Sequence, residues 1–361
     1  MRRTIMAACL IFLFGCGNGQ EAEDQERTQE RTEEQEQTKE REGKDDGEGD
    51  VSSAVVFDGL RTPWNVIREA GTFYITEREG NIVEGADRKR RLPVELTRPV
   101  AAQGEGGLLG MVLDPGFTKN KQAYVYHSYR TDRGIANRIV AIVREQDSWE
   151  EKVTLLEGIP GGRIHNGGRL EIGPDGLLYA TAGDAGNPDL AQDAESLAGK
   201  ILRMQLDGRP AEGNMQGYVY SYGHRNPQGL VFIRNVLYAS EHGQSGHDEI
   251  NRIEKGKNYG WPLIEGKQEQ EGLVTPWYEV GEQSKAPSGI DTKDGKLLFA
   301  TLVGQSLRQI DLNTKKVDVL TDGYGRIRDV LVDEGVYFIT NNTDGRGSPK
   351  GGDDRLIRMK D

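Results

Sequence analysis

The chain has 361 residues and a formal net charge of −12, with 48 glycines and only two cysteines. Of that charge, 14 acidic and 5 basic residues in positions 17–50 account for −9 and Arg2 and Arg3 for +2, so residues 51–361 carry −5. No basic face is implied, so nothing here points to nucleic-acid binding. Because Cys9 lies in the apolar start of the chain, residues 51–361 cannot form a disulfide.

Residues 1–15 read as a signal peptide: Arg2 and Arg3, an apolar run over residues 5–14, then Gly15 before Cys16. The run is shorter than the ~20 residues of a membrane-spanning helix. Leu13-Phe14-Gly15-Cys16 resembles the bacterial lipobox, which implies cleavage before Cys16, lipid attachment to its sulfur and an extracytoplasmic, membrane-anchored protein. Residues 16–50 are nearly all Glu, Gln, Arg, Thr, Lys, Asp and Gly, with no aromatic or branched apolar residue. Such a stretch cannot bury enough surface to offset its ordering entropy and reads as a solvated acidic tether.

From residue 51 onward the pattern is all-β. Glycine is about 13% of the chain against an average near 7%, and short alternating segments are bounded by Gly, Asp, Asn and Pro. Six segments repeat a turn followed by an aromatic-bearing strand, around Tyr74, Tyr124, Tyr179, Tyr238, Phe299 and Tyr337. Their spacing of roughly 40 to 60 residues suits one four-stranded blade each, so residues 51–361 are expected to form a six-bladed β-propeller. A two-sheet sandwich of this length would be unusual. Propeller loops converge at one end of the ring, and the chemistry is expected there.

Five loop motifs carry candidate chemistry. Glu105-Gly106-Gly107-Leu108-Leu109-Gly110 places a carboxylate beside glycines that permit close backbone approach. His165, in the glycine-rich stretch 163–169, has an imidazole suited to general-base work, and Asp184, after the next strand, is placed to fix its tautomer. Arg225 and Asn226 put a cation and an amide on a constrained turn, a pair suited to a carboxylate or polarised carbonyl. The stretch 241–262 is dense in oxygen donors and lacks thiols, which favours calcium, although His242 and His247 also admit zinc. Arg326 and Arg328 alternate onto one face of a strand, where an anion would separate two repelling cations.

Taken together these motifs resemble the soluble quinoprotein glucose/sorbosone dehydrogenases, including bacterial aldose sugar dehydrogenases, over nearly all of residues 53–361. His165-Asn166-Gly167-Gly168-Arg169 and Asn258-Tyr259-Gly260-Trp261-Pro262 are the most specific parts. The resemblance implies a six-bladed propeller that binds pyrroloquinoline quinone (PQQ) and calcium, oxidises an aldose at its anomeric carbon and passes electrons to a quinone or other acceptor. It implies His165 as the base, Asp184 as its orienter, and Arg225 on the quinone oxygen. Glu105, Asn226, Arg326 and Arg328 would hold the cofactor. The carbonyls of Gly243 and Gln244 would take the bridging calcium, and Glu249 and Tyr259 a structural one.

Two positions depart from the family: Glu105 stands where Gln is frequent, and Val303 where a cofactor-binding lysine is expected, with Arg308 a candidate substitute. These departures leave two other expectations in play, a calcium-stabilised propeller that binds a sugar or cell-wall ligand without redox turnover, and a lactonase-type hydrolase. The stretch 266–282 is expected to carry substrate specificity.

Overall fold

The structure, a computed structural model, describes residues 53–360. The signal-like start, Cys16 and the acidic stretch lie outside the described residues, as does Asp361. The described part is all-β, with two one-turn helices, Phe117–Asn120 and Asp189–Gln192. None of its helices is long and apolar enough to cross a membrane.

Twenty-four strands follow in chain order: β1 (Ser53–Phe57), β2–β5 (Pro63–Glu69, Thr72–Glu77, Asn81–Gly85, Arg90–Glu95), β6–β9 (Leu108–Leu113, Gln122–Thr131, Gly134–Arg144, Trp149–Pro160) and β10–β13 (Leu170–Ile172, Leu178–Ala182, Lys200–Met204, Val219–Tyr222). Then come β14–β17 (Pro227–Ile233, Val236–Glu241, Glu249–Ile253, Tyr278–Glu279), β18–β21 (Pro287–Lys293, Lys296–Thr301, Ser306–Asp311, Val317–Asp322) and β22–β24 (Ile327–Val332, Val336–Thr340, Leu356–Met359). Strands β10–β13, β14–β17 and β18–β21 are four-stranded antiparallel sheets. Strands β2–β5 and β6–β9 are two further meanders, joined into one eight-stranded sheet by a short parallel pairing of Val94 with Trp149 and Glu95 with Glu150. The last sheet, β22-β23-β24-β1, takes its outer strand from the start of the described chain.

The sheets stand as blades. Their first strands lie side by side and close on themselves: β2 against β6, β6 against β10, β10 against β14, β14 against β18, β18 against β22, and β22 against β2. The aromatic repeat seen in the sequence falls on the second strand of each unit, and its rings wedge between neighbours. Tyr74 packs edge-on against Phe117 and Trp149, Tyr179 against Phe232, and Tyr337 against Phe73.

Antiparallel pairing decides where function can sit. The start of each first strand lies beside the end of the second, so loops entering first strands and loops leaving second strands share one end of the ring. Five of these strand pairs also slip in register near that end, at Pro63/Asn65, Leu108/Met111, Pro227/Gly229, Pro287/Ile290 and Ile327/Asp329. Such bulges turn side chains out of the ladder, and two of them hold Gln228 and Arg328.

Candidate active site

Most of the motif residues identified from sequence belong to this end. Glu105, His165, Arg225, Asn226 and Arg326 lie on loops entering first strands, and Arg328 near the start of β22. Asp184, Gly243, Gln244 and Val303 lie on loops leaving second strands.

His165 sits on the loop between β9 and β10 with a left-handed backbone, φ 55°. Its Nδ1 is 2.8 Å from Asp184 Oδ1. Asp184 is 1% exposed and also accepts the Gly186 N–H at 2.7 Å and the Trp261 indole N–H at 2.9 Å. In the neutral imidazole this contact puts the hydrogen on Nδ1 and the lone pair on Nε2. The two residues expected to act together are thus hydrogen-bonded to each other. It lines a cleft of about 380 Å³ together with Arg225, Gln244, Trp261, Ile264, Glu265 and Gln268. Gly183 permits this close approach, because a Cβ there would lie 2.1 Å from the His165 carbonyl oxygen.

Arg225 packs its guanidinium over Trp261, 5.3 Å from the ring centre, and Nη1 donates to the His242 carbonyl at 3.2 Å. Its backbone N–H is held by Glu241, which also takes His224 Nδ1 at 2.9 Å. Asn226 is fully buried, and its Oδ1 accepts the Gly167 N–H at 3.2 Å.

Arg326 precedes β22 and donates to Asp344 at 3.1 Å. Arg328, turned out at the bulge, donates to Gln228 Oε1 at 2.8 Å and Ser288 Oγ at 3.3 Å. Burial, then Arg326, pulls the Arg328 pKa down to about 9. The Nε atoms of Arg225, Arg326 and Arg328 and Nδ2 of Asn226 are buried without a partner. Unpaired buried donors cost roughly 1–3 kcal/mol each; interior atoms such as Arg138 Nε and Arg169 Nη2 are also unpartnered, and the four at this end would suit a ligand rich in acceptors. A polycarboxylate quinone such as PQQ fits that donor set.

Glu105 is ionised and turned toward a cation. Burial works to raise its pKa, but the His165 N–H (2.9 Å to Oε2) and Arg346 (2.8 Å to Oε1) outweigh it and hold it at about 2. Arg346 was not anticipated; its signal was the turn Asp344-Gly345-Arg346-Gly347 after the last aromatic strand. Arg78, also at this end, donates only to the carbonyls of Gly104 and Gly106, and burial lowers its pKa.

At the expected lysine position, Val303 is 55% exposed. Arg308 does not take that role: it lies on β20 with Nε on Ser306 Oγ at 2.9 Å, and its charge acts on Tyr278.

For the expected metal ligands, Asp248 and Glu265 hold the backbone N–H groups of Gly243 (3.0 Å) and Gln244 (2.6 Å). A Cβ at Gly243 would meet the Gly246 carbonyl oxygen at 1.9 Å, so the turn requires glycine. Gly243, Glu241, Glu249, Glu265 and Tyr259 line one small void. Glu249 pairs in register with Glu241, and burial, then Glu241, pushes its pKa up to about 8. Two facing carboxylates in a tight void fit a hard cation. The Tyr259 hydroxyl is already committed to the Arg252 carbonyl and the Glu254 N–H, so its contribution would be its backbone carbonyl. His242 and His247 do not converge: His242 is buried with its pKa pulled down to about 4 by burial, whereas His247 pairs with Glu279 at 2.5 Å in a separate cleft. Among the described residues no group of three His, Cys, Asp or Glu side chains forms a metal cluster.

Comparison with known proteins places this arrangement in context. The glucose/sorbosone dehydrogenase family matches residues 60–357. The PQQ-bound aldose sugar dehydrogenase of Streptomyces coelicolor superposes with a TM-score of 0.80 at 39% identity, over 86% of this chain and 98% of that one. The aldose sugar dehydrogenase of Escherichia coli is 30% identical over 82% of this chain and 91% of its own length. Quinoprotein glucose dehydrogenase B of Acinetobacter calcoaceticus is 36% identical over 50% of this chain and 44% of its own length.

Proposed function

The chain belongs to the glucose/sorbosone dehydrogenase family, and from that premise we propose that it is a six-bladed, PQQ- and calcium-dependent dehydrogenase oxidising aldoses to lactones. The observation that carries this reading is the coincidence, at one end of the ring, of the His165–Asp184 pair with the unpartnered donors of Arg225, Asn226, Arg326 and Arg328. Six four-stranded units follow from counting the eight-stranded sheet as two blades.

Arg326, Arg328, Arg225 and Asn226 would hold the cofactor. Carbonyls of Gly243 and Gln244 would take calcium beside it, with Glu249, Glu241 and Tyr259 around a second, structural ion. When bound, PQQ supplies a two-electron acceptor. The protein's own part is proton transfer, positioning and countercharge. His165 Nε2 takes the proton of the anomeric hydroxyl as hydride leaves the anomeric carbon, forming the lactone. Asp184 stabilises the imidazolium that results and keeps the ring from rotating. Trp261, tied to Asp184 and packed on Arg225, walls the cleft and limits water. Arg225 offers a fixed cation where negative charge develops.

Reduction of a dye by apo protein reconstituted with PQQ, calcium and an aldose tests the reading, which fails if no aldose is oxidised under saturating cofactor. Val303 favours the alternative, a sugar-binding propeller without redox activity; protection of the fold by sugars with no spectral change on adding PQQ would identify it.

The lipobox supports attachment to the cell membrane through Cys16 alone, with a quinone or other acceptor receiving the electrons. Release of the protein from membranes by Cys16→Ser would bear this out; an unchanged membrane fraction would refute it.

A further inference from the structure

A buried carboxylate at the mouth of an anion site is a liability, and Glu105 is one: its side chain is only 17% exposed, on the loop beside His165. Its two oxygens do different things. Oε2 accepts the His165 N–H at 2.9 Å, and Oε1 accepts Arg346 Nη1 at 2.8 Å. The Glu105 N–H in turn donates to the Arg163 carbonyl at 2.7 Å, so two loops are stitched together around the base. Arg346 continues the chain of charges. Its Nη2 lies 3.4 Å from Asp344 Oδ2, which also accepts Arg326 Nη2 at 3.1 Å and Asn341 Nδ2 at 3.2 Å. A continuous line of contacts therefore runs from the His165 backbone through Glu105, Arg346 and Asp344 to Arg326.

We propose that Arg346 is a positioning residue, which pins the Glu105 carboxylate on the His165 N–H and cancels a negative charge that would otherwise face the anionic ligand held by Arg326 and Arg328. Without Arg346, the local balance of Arg78, Arg326, Arg328 and Arg346 against Glu105 and Asp344 falls by one positive charge, and a second cation is lost besides the lysine expected at Val303. The strained, left-handed backbone at His165 gives the pin a purpose, because a non-glycine residue at φ 55° keeps that geometry only when its surroundings enforce it. Arg346 itself is 47% exposed, so its ion pairs contribute little to global stability. The local effect is thereby separable from unfolding.

The part of this inference that concerns charge rests on the PQQ reading; the part that concerns the His165 loop does not. The test uses the folded apo protein in four forms: wild type, Arg346→Ala, Glu105→Gln and the double variant. Hydrogen exchange of the segment 160–170 is followed first, without cofactor. Arg346→Ala is expected to speed exchange at the His165 amide about ten-fold, equivalent to ~1.4 kcal/mol, with an unchanged melting temperature. Equilibrium titration with PQQ and calcium is followed by absorbance. Arg346→Ala is expected to weaken binding about ten-fold, the scale of one charge-assisted bond, and Glu105→Gln in that background to restore it, since the unpaired charge is then gone. Wild-type exchange in Arg346→Ala overturns the positioning role. Equal weakness of the single and double variants overturns the charge role. Failure of the wild-type chain to bind PQQ refutes the enzyme assignment instead, and the exchange result still decides the inference.

Discussion

The mouth of the ring and its interior treat charge in opposite ways. At the mouth, Arg326 and Arg328 keep buried nitrogens without partners, and Glu105 is held ionised by Arg346 and the His165 N–H. Deeper in, on first strands, Asp329 Oδ2 is saturated by Asn65 Nδ2 (2.7 Å), the Val66 N–H (2.9 Å) and Arg169 Nη1 (3.0 Å). Below it Glu171 is pushed up to about 8, by burial and then by Asp291. Asp291 is itself raised to about 6, chiefly by burial. The interior carboxylates are thus satisfied or neutralised, although Arg169 Nη2 and Arg138 Nε are buried without a partner there. The mouth gathers four open donors, on Arg225, Asn226, Arg326 and Arg328, at the end of the ring that carries the His165–Asp184 pair.

Substitutions on the two sides should therefore fail in different ways. His165→Ala should lower aldose oxidation by about 10²–10⁴-fold, the range for removing a general base, while PQQ affinity by titration stays near wild type. Arg169→Ala, which breaks the interior ion pair, should cost about 3–5 kcal/mol in denaturant unfolding because Asp329 is left buried without its cation. Arg328→Ala, by contrast, should weaken PQQ binding ten-fold or more with little loss of melting temperature. An Arg169 variant of normal stability or an Arg328 variant that unfolds would collapse the distinction.

Calcium removal should act at the mouth as well. Chelation is expected to lower the melting temperature, and calcium at a hundred times its dissociation constant to contribute about 2.7 kcal/mol. Glu249→Gln should remove the share of that response due to the structural ion and leave the share due to the ion on the Gly243 and Gln244 carbonyls.

The smallest expected effect lies inside the ring. Glu171 has a folded pKa above its unfolded value, so the folded state binds the extra proton. Its contribution is fully present below about 4.5 and is lost as pH rises through about 8, with a slope of at most ~1.4 kcal/mol per pH unit. Glu171→Gln should flatten the stability profile over that window, as read from thermal melts at successive pH values.

The sequence carried those features whose cause is local. The aromatic repeat marks the second strand of each unit because each ring must wedge between neighbouring sheets, and a strand pattern records that directly. His165, Asp184, Arg225 and Asn226 were legible because short loops beside strands of fixed length leave little choice of placement. What was hidden depends on contacts closed by the ring. Arg346 and Glu105 are 241 residues apart, and nothing local to either announces the other. The Trp261–Asp184 hydrogen bond links loops 77 residues apart. Its place five residues after Val303 makes Arg308 a candidate substitute for the absent lysine, but it sits on β20 and serves a different neighbour. Alternation in a strand put Arg326 and Arg328 on one face, yet β22 begins only at Ile327 and bulges at once, so one arginine lies on the loop and the other is turned out at the bulge.

One measurement bears most directly on the central claim, that this mouth holds PQQ beside a histidine base. Apo protein is titrated with PQQ and calcium by absorbance, then given an aldose, in wild type and in His165→Ala. Saturable binding by both forms, followed by an aldose-dependent spectral change in the wild type alone, is the predicted result. Absence of saturable PQQ binding in the wild type, or an equal spectral change in both forms, would contradict it.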